Sequence, residues 1–153
     1  MPSEFIQRQK NDFFRDLTSL GSLWFYLLIA LAFLIQKDYR MLKQLTAGFI
    51  LMYIIVILIR SFYFKNRPKR YSHHNFIEKI DASSFPSLHG SRISFLCITL
   101  AEYFSNNLLS ILLVILTALV AHSRLYLKKH DKSDVLTGIL LGIAVYFVMN
   151  RVF

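Results

Sequence analysis

The sequence predicts an all-α polytopic membrane bundle of about five transmembrane helices, preceded by an amphipathic helix lying in the interface. Three observations predict it. Of 153 residues, 55% are hydrophobic and 18% charged, against about 25% charged in an ordinary soluble domain. Several apolar runs approach the ~20 residues that cross a ~30 Å hydrocarbon layer. Between the runs stand turn formers and cations. A disordered basic tail is excluded as well, because disorder needs low hydrophobicity. The charge needs its own explanation: 18 Lys and Arg stand against 9 Asp and Glu, a formal net charge of +9.

Residues 3–19 place Phe5, Ile6, Phe13, Phe14 and Leu17 on one side and Arg8, Asn11, Asp12 and Arg15 elsewhere, the pattern of a helix lying on a membrane. The first twenty residues hold no small-residue cleavage site, so no removable signal is expected. Span one covers 20–35 without a charge. A polar turn at 36–43, with Lys37, Arg40 and Lys43, leads into span two at 44–64, apolar except for Arg60. Residues 65–85 are the longest polar connection, a loop with room for one short helical turn. Pro86 suits the first turn of a helix, where its missing N–H does no harm, and opens span three, which runs to 104. Ser105, Asn106 and Asn107 make a tight turn. Span four covers 108–127 and span five 133–153, where Gly138 and Gly142 stand at the spacing that lets helices approach closely in lipid. The whole of 1–153 reads as a single integral-membrane domain. Cys97 is alone, so no internal disulfide forms.

Alternating the spans sorts the polar residues by side. The N-terminal helix, the end of span two, the start of span three, the end of span four and the start of span five share one face. The opposite face keeps Lys37, Arg40, Lys43 and Arg151, so 18 − 4 = 14 cations fall on the common one.

On that face stand candidate chemical groups. Arg60 and Arg67 are two turns apart, so a continuous helix would aim both at one ligand, about 10 Å apart along the axis. An ionisable residue such as Arg60 near the hydrocarbon marks a functional site by default; snorkelling to headgroups is the plainer role. His130 and Asp134 are four apart and meet on one helical face, where a carboxylate fixes the tautomer and basicity of an imidazole. His89 follows Pro86 and Ser87 at a helix start, whose free N–H groups suit a phosphate. The pair His73 and His74 has no zinc-type spacing, so no metal site is expected. Glu102 reads as a solvated acid near the far surface, and Tyr63, Phe64 and Tyr71 as an interfacial aromatic belt.

Taken together, Arg60-x6-Arg67-Pro68, Pro86-Ser87-Leu88-His89 and Ser123-Arg124-x5-His130-x3-Asp134 resemble the three-part signature of the type 2 phosphatidic acid phosphatase family, Lys-x6-Arg-Pro, Pro-Ser-Gly-His and Ser-Arg-x5-His-x3-Asp. Arg60 stands where that pattern has lysine and Leu88 where it has glycine, with Gly90 two residues on to supply backbone slack. The resemblance implies His130 as a nucleophile forming a phosphohistidine and Asp134 as its orienter. It implies His89 as general acid toward the leaving group and then as base toward water. Arg60, Arg67, Ser87, the Leu88 N–H and Arg124 would hold the phosphoryl oxygens, with no metal and no cofactor. Phosphoryl transfer is mostly positioning and charge stabilisation, which guanidinium groups and helix-terminal N–H groups can supply.

The implied substrate is a phosphorylated envelope lipid. Lipid A 1-phosphate comes first because the chain is compact, then undecaprenyl pyrophosphate or phosphatidylglycerol phosphate. No nucleic-acid partner and no obligatory protein partner is inferred. Two other functions use the same cations. A lipid phosphate transferase would share the intermediate, whereas a non-catalytic anionic-lipid-binding protein would have no use for His89, His130 and Asp134. The resemblance implies a bacterial inner-membrane protein with a periplasmic active face, while the count of 14 cations against 4 puts that face in the cytoplasm by the positive-inside rule.

Overall fold

The computed structural model describes residues 2–68 and 75–153, so Lys69, Arg70, Tyr71, His73 and His74 lie outside the described residues. Every element is helical: α1 (Pro2–Ser19), α2 (Leu23–Ile35), α3 (Tyr39–Phe62), α4 (Phe76–Ala82), α5 (Leu88–Phe104), α6 (Asn107–Tyr126) and α7 (Lys132–Val152).

The helix ends follow from capping side chains. Ser22 accepts from Phe25 N at 3.2 Å and opens α2. Asp38 accepts from Met41 N at 3.0 Å, so α3 starts at Tyr39 and takes in Arg40 and Lys43, and the polar turn expected over 36–43 contracts to 36–38. Ser105 adopts the left-handed conformation that ends α5, and Asn106 accepts from Leu109 N at 3.0 Å to begin α6. Ser87, the residue that follows Pro86, is the cap of α5: its hydroxyl accepts from Gly90 N at 3.3 Å. Pro86 therefore precedes the helix instead of sitting in its first turn.

α3, α6 and α7 are each long and apolar enough to cross a membrane, and the pair α1–α2, bent by 41°, is long enough to count as a fourth, broken span. The five apolar runs expected from the sequence appear as α2, α3, α5, α6 and α7, of which α2 and α5 are the short ones. α2 has 13 residues, about 20 Å of helix, and α5 has 17. α5 is the centre of the bundle, packed chiefly against α7 and α6 and also touching α3. Its hydroxyls are compatible with burial because they bond back to their own helix. Ser91 Oγ donates to Ser87 O at 3.0 Å, Ser94 Oγ to Gly90 O at 2.8 Å and Thr99 Oγ1 to Phe95 O at 2.7 Å.

The main core joins Phe95 and Leu96 of α5 with Leu45 and Met52 of α3, Tyr26 and Phe33 of α2, and Val145 and Tyr146 of α7. Gly138 and Gly142 fulfil the close packing read from their spacing: a Cβ at Gly138 would strike the Ser87 carbonyl, and one at Gly142 would strike Ser94 Oγ and Ser91 O. Gly90 serves packing too. It holds a helical conformation and lets the Val135 carbonyl of α7 approach, so it gives the helix start no slack. Outward faces carry exposed apolar residues such as Trp24, Leu31, Ile54, Val114, Leu140 and Phe147, the surface a bundle presents to lipid.

Candidate active site

One end of the bundle gathers the charged and titratable residues singled out from the sequence. α3 delivers Arg60, the segment after it Lys65 and Arg67, the start of α5 Ser87, Leu88 and His89, the end of α6 Arg124, and the α6–α7 connection His130, with Asp134 in the first turn of α7. Arg60, Ser87, Arg124, His130 and Asp134 are all buried.

His130 lies before α7 rather than on it, so the expected helical-face pairing with Asp134 is replaced by another arrangement. Its Nδ1 is 2.8 Å from the Ser84 carbonyl and 3.8 Å from Asp134 Oδ2. A carbonyl oxygen only accepts, so Nδ1 carries the proton and the lone pair sits on Nε2. Burial, then the Arg124 charge, push His130 down to about 3, against the opposing pull of the Ser84 bond. At neutral pH it is an uncharged imidazole with a free nitrogen in a cationic surrounding.

Asp134 is fully buried and engages other partners. Oδ1 accepts from Lys65 Nζ at 2.6 Å, Oδ2 accepts from Asp131 N at 2.9 Å, and its backbone carbonyl accepts from Ser87 N at 3.0 Å. The last bond ties the start of α5 to α7. Lys65 also reaches Asp131 at 3.1 Å and Ser133 Oγ at 3.0 Å. Its burial favours loss of the proton, but the bonds to Asp134 and Asp131 outweigh that and hold the ammonium above the usual lysine range.

The arginines divide in role. The helix that would have aligned Arg60 with Arg67 ends at Phe62, so Arg67 comes from an extended segment. Arg60 donates to Ile80 O at 3.1 Å and Pro86 O at 2.9 Å, clamping α4 and the turn before α5. Arg67 donates to Asp81 O at 2.6 Å. Arg124 donates to Thr18 Oγ1 at 3.0 Å, joining α6 to the end of α1. Phe14 of α1 stacks on Tyr126 with centroids 4.1 Å apart. Gly21, in the α1–α2 corner, sits so close to His89 that a Cβ there would lie 3.3 Å from its Cδ2. The corner thus covers the site.

At the start of α5, Gly90 N and Ser91 N bond to Ser87. Leu88 and His89 occupy the first two helical positions, whose N–H groups have no acceptor within the helix and suit an anion. Sequence reasoning missed the Ser84 carbonyl, Thr18 and Arg92 altogether. Arg92 donates toward His89 Nδ1 at 3.3 Å. A carbonyl has no sequence signal, but a buried arginine three residues after His89 had one.

A membrane helix bundle with two histidines, a buried carboxylate and a cluster of guanidinium groups at one end defines a class of protein built for phosphoryl groups. The family model for the PAP2 superfamily matches residues 41–153, and the chain belongs to that superfamily. Among solved structures, the crystal structure of Aquifex aeolicus LpxE superposes with a TM-score of 0.78 at 20% identity, covering 94% of this chain and 86% of that one. The crystal structure of the first transmembrane PAP2 type phosphatidylglycerolphosphate phosphatase, from Bacillus subtilis, gives 0.75 at 22% identity, covering 94% and 76%. At these identities the likeness is one of fold. No curated protein matches the sequence significantly.

Proposed function

We propose that the chain is a membrane lipid phosphatase acting through a phosphohistidine on His130, with 1–153 as one catalytic domain and α1 as its interfacial helix. The observation that carries the reading is the His130 tautomer. Ser84 holds Nδ1–H at 2.8 Å, so Nε2 is the nucleophilic nitrogen in a site whose cations gather phosphoryl oxygens. Arg67, Arg124 and the N–H groups of Leu88 and His89 receive those oxygens, Ser87 adds its hydroxyl hydrogen, and the reaction needs no metal. Arg60 contributes charge and fixes the position of Pro86. Asp134 acts on His130 through charge and through its grip on Lys65 and on the start of α5, and His89 serves the leaving group and then water.

The substrate is a phosphate ester or pyrophosphate of an envelope lipid. Lipid A 1-phosphate ranks first, supported by the greater share of the LpxE chain covered, 86% against 76%. Undecaprenyl pyrophosphate and phosphatidylglycerol phosphate follow. The protein is a multi-pass protein of a bacterial inner membrane with the site on the periplasmic face.

Phosphate release by the purified protein from lipid A, undecaprenyl pyrophosphate, phosphatidylglycerol phosphate and phosphatidic acid in detergent tests this reading. We expect release from lipid A to be fastest and to vanish in His130→Ala. Release from none of the four, or undiminished release by His130→Ala, contradicts it; products carrying phosphate on an added lipid alcohol would make the protein a transferase instead.

A further inference from the structure

Arg92 is an unusual residue for the middle of a bundle. It is 5% exposed, lies one turn into α5 beyond His89, and has no carboxylate within ion-pair distance among the described residues. A buried charge without a counter-charge is costly to fold around. Its two side-chain hydrogen bonds go to an imidazole and a phenol: one terminal nitrogen is 3.3 Å from His89 Nδ1 and the other 3.3 Å from the Tyr53 hydroxyl.

A guanidinium has five N–H donors and no acceptor. His89 Nδ1 facing Arg92 must therefore be the acceptor, which leaves the ring proton on Nε2. His130 has the opposite tautomer. The charged and titratable groups around His89 all agree with an uncharged ring. They are Arg92 on its own helix, Arg124 on α6, Arg67 after α3 and His130 before α7, with Tyr53 and Tyr26 behind Arg92 and no carboxylate in the set.

The reaction proposed above requires more of His89 than this state allows. In the first step the bond from phosphorus to the leaving oxygen breaks as the bond to His130 Nε2 forms, and the leaving oxygen takes the Nε2 proton of a His89 imidazolium. In the second, the neutral His89, now protonated on Nδ1 only, takes a proton from water at Nε2 as the hydroxyl displaces His130 from phosphorus. Both forms carry a proton on Nδ1, and contact with Arg92 admits neither. We infer that Arg92 is a positioning residue that holds His89 in an uncharged resting form. It releases Nδ1, retaining its Tyr53 contact, when a phosphorylated substrate brings negative charge and His89 takes up one proton from solvent. This rests on the phosphohistidine reading and adds to it a resting latch.

The test is the pH dependence of kcat/KM for phosphate release from lipid A in micelles, with wild type, Arg92→Gln and Arg92→Lys. A glutamine amide can turn its oxygen to Nδ1–H, so the alkaline limb set by His89 protonation moves up by at least one pH unit in Arg92→Gln. Arg92→Lys keeps a donor-only cation and the wild-type limb. If Arg92→Gln does not fold, as judged by thermal unfolding in detergent, Tyr53→Phe replaces it. Without the hydroxyl that receives Arg92 the latch tightens, and kcat falls at least threefold with KM unchanged. A limb that stays in place in Arg92→Gln, or unaltered kinetics in Tyr53→Phe, overturns the latch. His89→Ala separates the two levels: if it keeps wild-type activity, the role of His89 and the latch fail together, and if it is inactive while the limb stays put, only the latch fails.

Discussion

Lys65 and Asp134 meet across the site at 2.6 Å between Nζ and a carboxylate with no solvent exposure. The lysine comes from the segment after α3 and the aspartate from the first turn of α7, so the pair fastens the connection carrying Arg67 to the histidine side of the site. Lys65→Met leaves a buried carboxylate with one partner fewer. We expect a loss of about 1–3 kcal/mol in stability and a fall in kcat of about ten- to a hundredfold through misplacement. Unfolding in detergent and a double-mutant cycle with Asp134→Asn check it: in the Asp134→Asn background, Lys65→Met should have little further effect.

Helix contact between α5 and α7 depends on two missing side chains. Gly142→Ala places a methyl group against Ser94 Oγ and Ser91 O, both fixed in the buried face of α5. The expected cost is about 1–3 kcal/mol, read as a lower unfolding temperature. Gly21→Ala is the milder change for folding, since its Cβ would meet Val120 Cγ1 at 3.0 Å and His89 Cδ2 at 3.3 Å. It presses on the site, so activity should fall more than stability.

His130 gives the fold an acid sensitivity of determinate sign. The ring is uncharged in the folded protein down to about pH 3 but takes a proton near 6.5 when unfolded. Its contribution to stability is therefore complete above 6.5 and is lost as pH falls from 6.5 toward 3, at about 1.4 kcal/mol per pH unit. Unfolding measured from pH 7 to 4 should show this slope in wild type and a shallower one in His130→Asn.

Much of the fold was legible because apolar runs and capping residues are local signals: Ser22, Asp38, Ser87 and Asn106 each close a helix start that the sequence already marked within a few residues. The central, sheathed place of α5 was less legible. Hydropathy does not distinguish a helix facing lipid from α5, which is sheathed by its neighbours and satisfies Ser91, Ser94 and Thr99 on its own backbone. The residues gathered at one end of the bundle were legible as a candidate set, because three fixed spacings single them out together. Their bonding was not. Spacing put His130 and Asp134 on one helix face, but a helix that starts at Lys132 leaves His130 to a carbonyl from the α4–α5 turn, and no pattern in the sequence records a carbonyl.

Orientation is open to direct test. With Cys97 replaced by alanine, Ile77→Cys places a thiol at an exposed position on the α4 side of the site. In intact cells a membrane-impermeant maleimide should label it from the periplasm; labelling only after the cytoplasm is opened would follow the cation count instead.

The phosphorus–nitrogen bond proposed on His130 can be trapped chemically. Wild type and His89→Ala are mixed with lipid A, quenched in alkali within milliseconds to seconds, digested and analysed by mass spectrometry for a phosphorylated peptide containing His130. We expect a phosphohistidine at His130, accumulating to a higher level in His89→Ala if the hydrolytic step is slowed more than formation, and absent in His130→Ala. Phosphate released at the wild-type rate by His130→Ala, with no phosphohistidine in any sample, would contradict it.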